Sequence, residues 1–198
     1  MKPVFGLVIC GGKSSRMGED KSLLNYNGIP QRYHVYELLR PLCEKIFLSC
    51  NTDQAKTISE KYNVIVDAPQ YENIGPMAAL LSAFELHDGI SFICAGCDYP
   101  FVRKEDLQKL IDSRNEQAIA VSYFNKSAAL HEPLLAVYEN ASYYLMRKNF
   151  ENKKYSLRYF LEEVKAIKVF PSSADVLTGV NNREQYEEAL KRIQLKNN

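Results

Sequence analysis

The stretch Val4-Phe5-Gly6-Leu7-Val8-Ile9-Cys10-Gly11-Gly12-Lys13-Ser14-Ser15-Arg16-Met17-Gly18-Glu19-Asp20-Lys21 decides how the rest of the chain is read. Its first seven residues are nearly all apolar and partly β-branched, which predicts a strand buried on both faces. Gly11-Gly12 then ends it. A buried parallel strand delivers the chain to the edge of the sheet where open α/β folds bind ligands. Glycines at that point let main-chain N–H groups approach an anion closely. Lys13, Arg16 and Lys21 add three cations within nine residues. Loop amides together with basic side chains form a polyphosphate cradle. The bland alternative is a Gly-rich turn with solvated charges. A P-loop is excluded, because the earlier glycine that Gly12-Lys13-Ser14 would require falls on Leu7. The dinucleotide fingerprint G-x-G-x-x-G is absent as well.

Outward from this stretch, short apolar runs alternate with helical patterns. Strands are predicted at 46–50, 64–66, 91–95, 118–122, 133–138 and 167–170. Helices are predicted at 31–42, 53–62, 77–86, 103–113, 141–150, 156–164 and 182–195. Strand and helix alternating at this spacing predict parallel βαβ units stacked as an α/β sandwich on a mostly parallel sheet. No internal repeat, low-complexity segment or linker stands out. The 198 residues are therefore expected to form a single domain. Residues 1–125 would be its nucleotide-binding part and 126–198 a part that faces a second substrate.

Twenty-five Lys+Arg against twenty-four Asp+Glu leave a net charge of +1, which argues against a nucleic-acid surface. The five cysteines are odd in number and mostly sit in or beside strand-like runs, unlike a secreted disulfide framework. No signal-peptide pattern opens the chain, and no apolar run approaches the ~20 residues that span a bilayer. A cytoplasmic protein without a membrane or nucleic-acid partner is expected.

Other residues carry chemistry further along. Asp98, in Cys97-Asp98-Tyr99-Pro100-Phe101, directly follows a predicted strand. A carboxylate there can hold Mg²⁺ against nucleotide phosphates, and one well-placed Asp suffices because Mg²⁺ keeps several waters. Otherwise Asp98 caps the following turn. Asp67 closes the strand 64–66, and Gly75-Pro76-Met77-Ala78-Ala79 would let a ligand lie against a helix N-terminus. A plain helix start is the alternative. Cys94-Ala95-Gly96-Cys97 lacks a second pair or a nearby His, so it reads as small residues packing the sheet rather than a zinc or redox site. His131 reads as a loop or capping residue.

Taken in order, these motifs resemble the molybdenum cofactor guanylyltransferases, a family of small nucleotidyltransferases. The resemblance rests on Gly11-Gly12-x-x-x-Arg16-Met17-Gly18-x-Asp20-Lys21, Asp67, Gly75-Pro76-Met77-Ala78, Cys97-Asp98-Tyr99-Pro100-Phe101, Glu132-Pro133-Leu134 and Val180-Asn181. It spans roughly residues 4–190. It implies a Rossmann-like three-layer α/β/α fold and transfer of GMP from GTP to the phosphate of molybdenum-bound molybdopterin. It also implies that Gly11, Gly12, Lys13, Ser14 and Gly75 line the nucleotide. Arg16 and Lys21 would hold its phosphates as catalytic residues. Asp67 would contact the guanosine, Asp98 would bind catalytic Mg²⁺, and Asn181 would lie on the acceptor side. Cofactor-assembly proteins are implied as partners. Two positions depart from the family pattern. Gly179 stands where a first late Asn is common, and Ala79 where a Gly closes the helix-start motif. Alternative functions are a related enzyme using CTP or another phosphorylated acceptor, and a non-catalytic GTP-binding regulator.

Overall fold

The computed structural model describes residues 3–10 and 20–197. Its strands are β1 (Val4–Ile9), β2 (Ile46–Cys50), β3 (Val64–Val66), β4 (Ser91–Gly96), β5 (Ala120–Asn125), β6 (Leu130–Tyr138) and β7 (Ile167–Val169). Its helices are α1 (Gln31–Leu39), α2 (Thr52–Ala55), α3 (Met77–Leu86), α4 (Lys104–Asp112), α5 (Ser142–Glu151), α6 (Leu157–Glu163) and α7 (Arg183–Asn197). All seven strands form one sheet in the order β3-β2-β1-β4-β6-β5-β7. Six point the same way. β6 alone runs antiparallel, inserted between β4 and β5.

Alternation along β1 explains the three layers. Phe5, Leu7 and Ile9 face a cluster with Leu81 and Phe84 of α3, Met146 of α5 and Phe160 of α6. Val4, Val8 and Cys10 face the opposite cluster, with Val35 and Leu39 of α1 and Leu107 and Leu110 of α4. Successive strand side chains point to opposite faces, so both faces of this wholly buried strand are covered. This is the expected α/β/α sandwich.

The strand expected at 118–122 lies at Ala120–Asn125 and the helix expected at 31–42 ends at Leu39, and two further elements depart for reasons visible in their contacts. The helix predicted over 53–62 stops at Ala55. Beyond it the Arg32 guanidinium takes the Thr57 carbonyl at 2.7 Å and its hydroxyl at 3.1 Å. The Thr57 hydroxyl in turn donates to the Gln54 carbonyl at 2.8 Å. Side chains thus occupy acceptors that a continuing helix would need. The strand predicted from 133 begins earlier, at Leu130, and its pairing with β5 jumps from Ser122↔Ala136 to Tyr123↔Glu132. Pro133 sits in that jump, where a residue without N–H cannot serve a ladder. His131 is therefore not a loop residue. It is buried in β6, with Nδ1 2.5 Å from the Ser122 hydroxyl.

Candidate active site

The parallel strands β1 to β4 end at one edge of the sheet, and the chemistry-bearing residues follow their ends. After β4 comes Asp98. Its carbonyl accepts the Val180 N–H at 2.8 Å, which ties the β4 loop to the segment before α7. Asp98 Oδ1 is buried and has no hydrogen-bond partner among the described residues. Burial pushes the Asp98 carboxyl up to about 6, although its own backbone and Lys21 oppose the rise.

Lys21 opens a short 3₁₀ turn whose cap is Asp20, with Asp20 Oδ1 accepting the Ser22 N–H at 2.9 Å. Lys21 Nζ donates to Asn181 Oδ1 at 2.8 Å, joining residues 160 apart in sequence. Asn181 is itself held, since its N–H donates to Gln185 Oε1 of α7 at 2.7 Å. Asp98, Lys21 and Asn181 thus gather at one place.

Asp67 and Gly75 belong to a neighbouring cleft of about 410 Å³, which Ile9, Asn51, Asp53 and Tyr71 also line. The Asp67 N–H continues the β2–β3 ladder to the Cys50 carbonyl at 3.0 Å. Its Oδ1 accepts from the Ser49 hydroxyl at 3.0 Å, and burial lifts its carboxyl above the ordinary range. Gly75 has φ +70°, in the left-handed region that side chains resist, so its glycine has a backbone reason. Ile9, at the end of β1, lines this cleft, whereas Asp98, Lys21 and Asn181 do not. The expectations for Gly11, Gly12, Lys13, Ser14 and Arg16 lie outside the described residues.

Sequence reasoning missed Gln54. Its side-chain NH₂ donates to the Cys10 carbonyl at 3.3 Å and to Asp20 Oδ2 at 2.9 Å. It therefore grips the residue on either side of the segment 11–19. Asn51 and Gln54 form a reciprocal capping box at the start of α2. The pattern Asn-x-x-Gln was the available signal. A second missed group is Tyr99, whose hydroxyl donates to Glu132 Oε2 at 2.9 Å, with Arg158 Nη2 3.6 Å from the same carboxylate. The two cysteines of the C-x-x-C pack in opposite clusters, Cys94 on one face of the sheet and Cys97 on the other, as packing residues should.

The residues present suit a divalent cation. Asp98 Oδ1 offers an unused buried lone pair, and Gly96 leaves it room, since a Cβ there would overlap that oxygen. No group of three or more His, Cys, Asp or Glu able to hold a metal occurs among the described residues.

A family model for the MobA-like NTP transferase domain matches residues 6–167. The chain belongs to the MobA-like NTP transferases. Among its relatives, a Synechocystis protein named "Molybdenum cofactor biosynthesis bifunctional protein" is 35% identical over 147 residues. That match takes in 74% of this chain but only 42% of the longer relative. A Bacillus anthracis protein named "Probable molybdenum cofactor guanylyltransferase" is 27% identical and is matched over 98% of each chain. The crystal structure of molybdopterin-guanine dinucleotide biosynthesis protein A from Archaeoglobus fulgidus superposes with a TM-score of 0.80. It covers 96% of this chain and 99% of its own at 20% identity, and it supports the fold. As a nucleotidyltransferase, this MobA-like protein calls for a divalent metal in its reaction. No helix among its described residues is long and apolar enough to cross a membrane.

Proposed function

We propose that this MobA-like protein transfers GMP from GTP to the phosphate of molybdenum-bound molybdopterin, giving the guanine dinucleotide cofactor and pyrophosphate. The observation that carries the reading is the Lys21–Asn181 pair beside the unpartnered Asp98 oxygen, next to a cleft walled by Asp67 and Gly75. The nucleoside belongs in that cleft, with Asp67 accepting from the base or sugar and Gly75 letting the backbone approach. The polyphosphate would run past the end of β1, over Gly11, Gly12, Lys13 and Ser14, toward Arg16 and Lys21.

The attacking acceptor phosphate is already anionic, so no strong general base is required. The barrier is charge crowding around the α-phosphorus as the new P–O bond forms and the bond to pyrophosphate breaks. Preorganised cations lower it because they are aimed where charge develops. The Lys21–Asn181 hydrogen bond supports a role for the cation between the nucleotide side and the acceptor side. Asp98 would hold Mg²⁺, which supplies charge neutralisation and alignment of phosphate oxygens. Tyr99 and Glu132 hold each other across the two parts and anchor the loop that carries Asp98. Residues 1–125 and 126–198 then serve nucleotide and acceptor within a single domain. The cytoplasm is the setting that fits a GTP-consuming reaction and five free thiols. Cofactor-assembly proteins are the natural suppliers of an unstable pterin.

The test is calorimetric titration with GTP, CTP and ATP in the presence of Mg²⁺, followed by pyrophosphate release with the molybdenum pterin. GTP is expected to bind at least tenfold more tightly than the other two. Equal affinity for all three would remove the guanine assignment, and tighter CTP binding would favour the cytidylyl reaction.

A further inference from the structure

The loop that walls the cleft runs from Asp67 to Pro76, and its middle is tied down from outside the site. Tyr71, fully buried, lines the cleft and donates its hydroxyl to Glu85 Oε1 in the last turn of α3. Arg147 of α5 donates from Nη1 to the Tyr71 oxygen at 3.0 Å and to Glu85 Oε1 at 2.9 Å. Gln70 Nε2 adds a bond to Glu85 Oε2 at 3.0 Å. The Tyr71 ring stands edge-on to Phe150 of α5, with centroids 5.0 Å apart. One turn earlier on α3, the Ser82 hydroxyl accepts the Ala68 N–H at 2.8 Å. Burial and the Glu85 bond push the Tyr71 hydroxyl up to about 12, so it stays a donor at neutral pH.

The middle of the wall and its C-terminal end are therefore referenced to one helix. Gly75 and Pro76 lead into the first turn of α3, and Tyr71 is pinned to its last. Along this stretch Asn73 and Gly75 take left-handed backbone, with φ 63° and 70°. The wall's shape thus depends on where Tyr71 is held as well as on local hydrogen bonding. Glu85 and Arg147 do not line the cleft, yet three donors converge on the Glu85 carboxylate.

We infer that Glu85 and Arg147 are positioning residues which set nucleotide affinity by fixing Tyr71, and through it the cleft wall. This rests on the reading that the cleft takes the nucleotide. Loss of Arg147 leaves the phosphate-facing groups in place and loosens the wall. The effect belongs in nucleotide binding and not in the chemical step.

The experiment compares full-length wild type with Arg147→Met, Arg147→Lys and Glu85→Gln. GTP, CTP and ATP are titrated calorimetrically with Mg²⁺ well below the melting temperature. KM and kcat are read by pyrophosphate release. Arg147→Met and Glu85→Gln are expected to raise Kd and KM for the preferred nucleotide five- to tenfold, with kcat within twofold. Arg147→Lys is expected to recover most of the loss. Unchanged affinity in folded Arg147→Met and Glu85→Gln, with only a lower melting temperature, overturns the inference. A fall in kcat at constant KM overturns it too. If Arg147→Met fails to fold, the Lys and Gln variants decide. Failure of wild type to bind any of the three nucleotides overturns the reading of the cleft as well, and so is distinguishable from failure of the clamp alone.

Discussion

Gly96 and Asp98 show how closely chemistry and strain sit together at single residues. Gly96 is the last residue of β4, and a Cβ there would overlap Asp98 Oδ1 and come within 3.0 Å of Leu134 Cβ. Gly96→Ala is therefore expected to swing the carboxylate away. Displacing a reacting-site group by about an ångström costs roughly 10²-fold in rate. Turnover should fall by about that factor, with divalent-metal affinity falling alongside it, as measured by pyrophosphate release and Mn²⁺ titration. Asp98 itself is held at an energetic cost. Lifting its carboxyl from the ordinary ~3.9 to about 6 favours the neutral form in the fold by roughly 3 kcal/mol. The sign follows from which state holds the proton more tightly. The folded protein does, so stability is greatest below pH 4 from this group and is lost as pH rises from about 4 through about 6. Asp98→Asn removes the penalty. In metal-free buffer it should melt several degrees above wild type at pH 8, and the difference should shrink as pH falls below 6. Turnover should be abolished at every pH. A melting point below wild type at pH 8 would recast Asp98 as a structural residue. Asp98 could be singled out in the sequence as a candidate because it directly follows a buried strand, with turn capping as the competing use. Its unpartnered oxygen could not, because that depends on Gly96 and on Leu134 arriving from β6.

At the scale of elements, α2 shows what a pattern reading loses. The strands β2 and β3 fall where apolar runs predict them, and α3 begins after Pro76 as expected, because those signals are local. The helix reading over 53–62 weighed periodicity and could not see Arg32 of α1 drawing on the Thr57 carbonyl. The shortened α2 serves instead as a brace. Its N-cap Asn51 orients Gln54, and the Gln54 amide bonds the Cys10 carbonyl and Asp20 Oδ2 from one side chain. Gln54→Ala should leave the sheet intact and lower the melting temperature by roughly 4–8 °C, since the two lost hydrogen bonds contribute about 1 kcal/mol each. KM for GTP should rise severalfold, because the two anchors of the segment 11–19 lose their common tie. Gln54→Glu should be worse, since it faces a carboxylate with Asp20 and a carbonyl and supplies no donor. Steady-state kinetics beside thermal melts separate the two effects. A drop in stability without a change in KM would make α2 a structural brace only.

At the scale of the whole molecule, strand order was the part that local pattern could not give. Alternating strands and helices predict a parallel sheet, but nothing within β6 announces that it turns back and inserts between β4 and β5. That placement comes from long-range pairing, with Ile93 opposite Val137 and Cys94 opposite Ala136. It has a functional consequence: an antiparallel strand begins where its parallel neighbours end, so β6 delivers Glu132 to the same edge as Asp98. It also bears on how far residues 1–125 can act alone. A chain cut after residue 125 would keep β1 to β4 and α1 to α4. It would strip β4 of its outer neighbour, and it would leave β5 unpaired, since β5 bonds only β6 and β7. Tyr138, Met146, Phe160 and Leu161, all buried against the same cluster as α3, would also be lost. Each such large side chain contributes about 1.5–3 kcal/mol by burial, and a domain's net stability is about 5–15 kcal/mol. Four of them total about 6–12 kcal/mol, as large as the typical margin itself, and the exposed central strand edge adds to the loss. The fragment 1–125 is therefore expected to show no cooperative thermal transition by circular dichroism and no GTP binding by calorimetry, although it contains every residue expected to hold the nucleotide. Co-expression with 126–198 should restore both, because the missing β6 can pair in trans. A folded, GTP-binding 1–125 fragment would mean that the nucleotide half carries its own core, and the single-domain reading would fail.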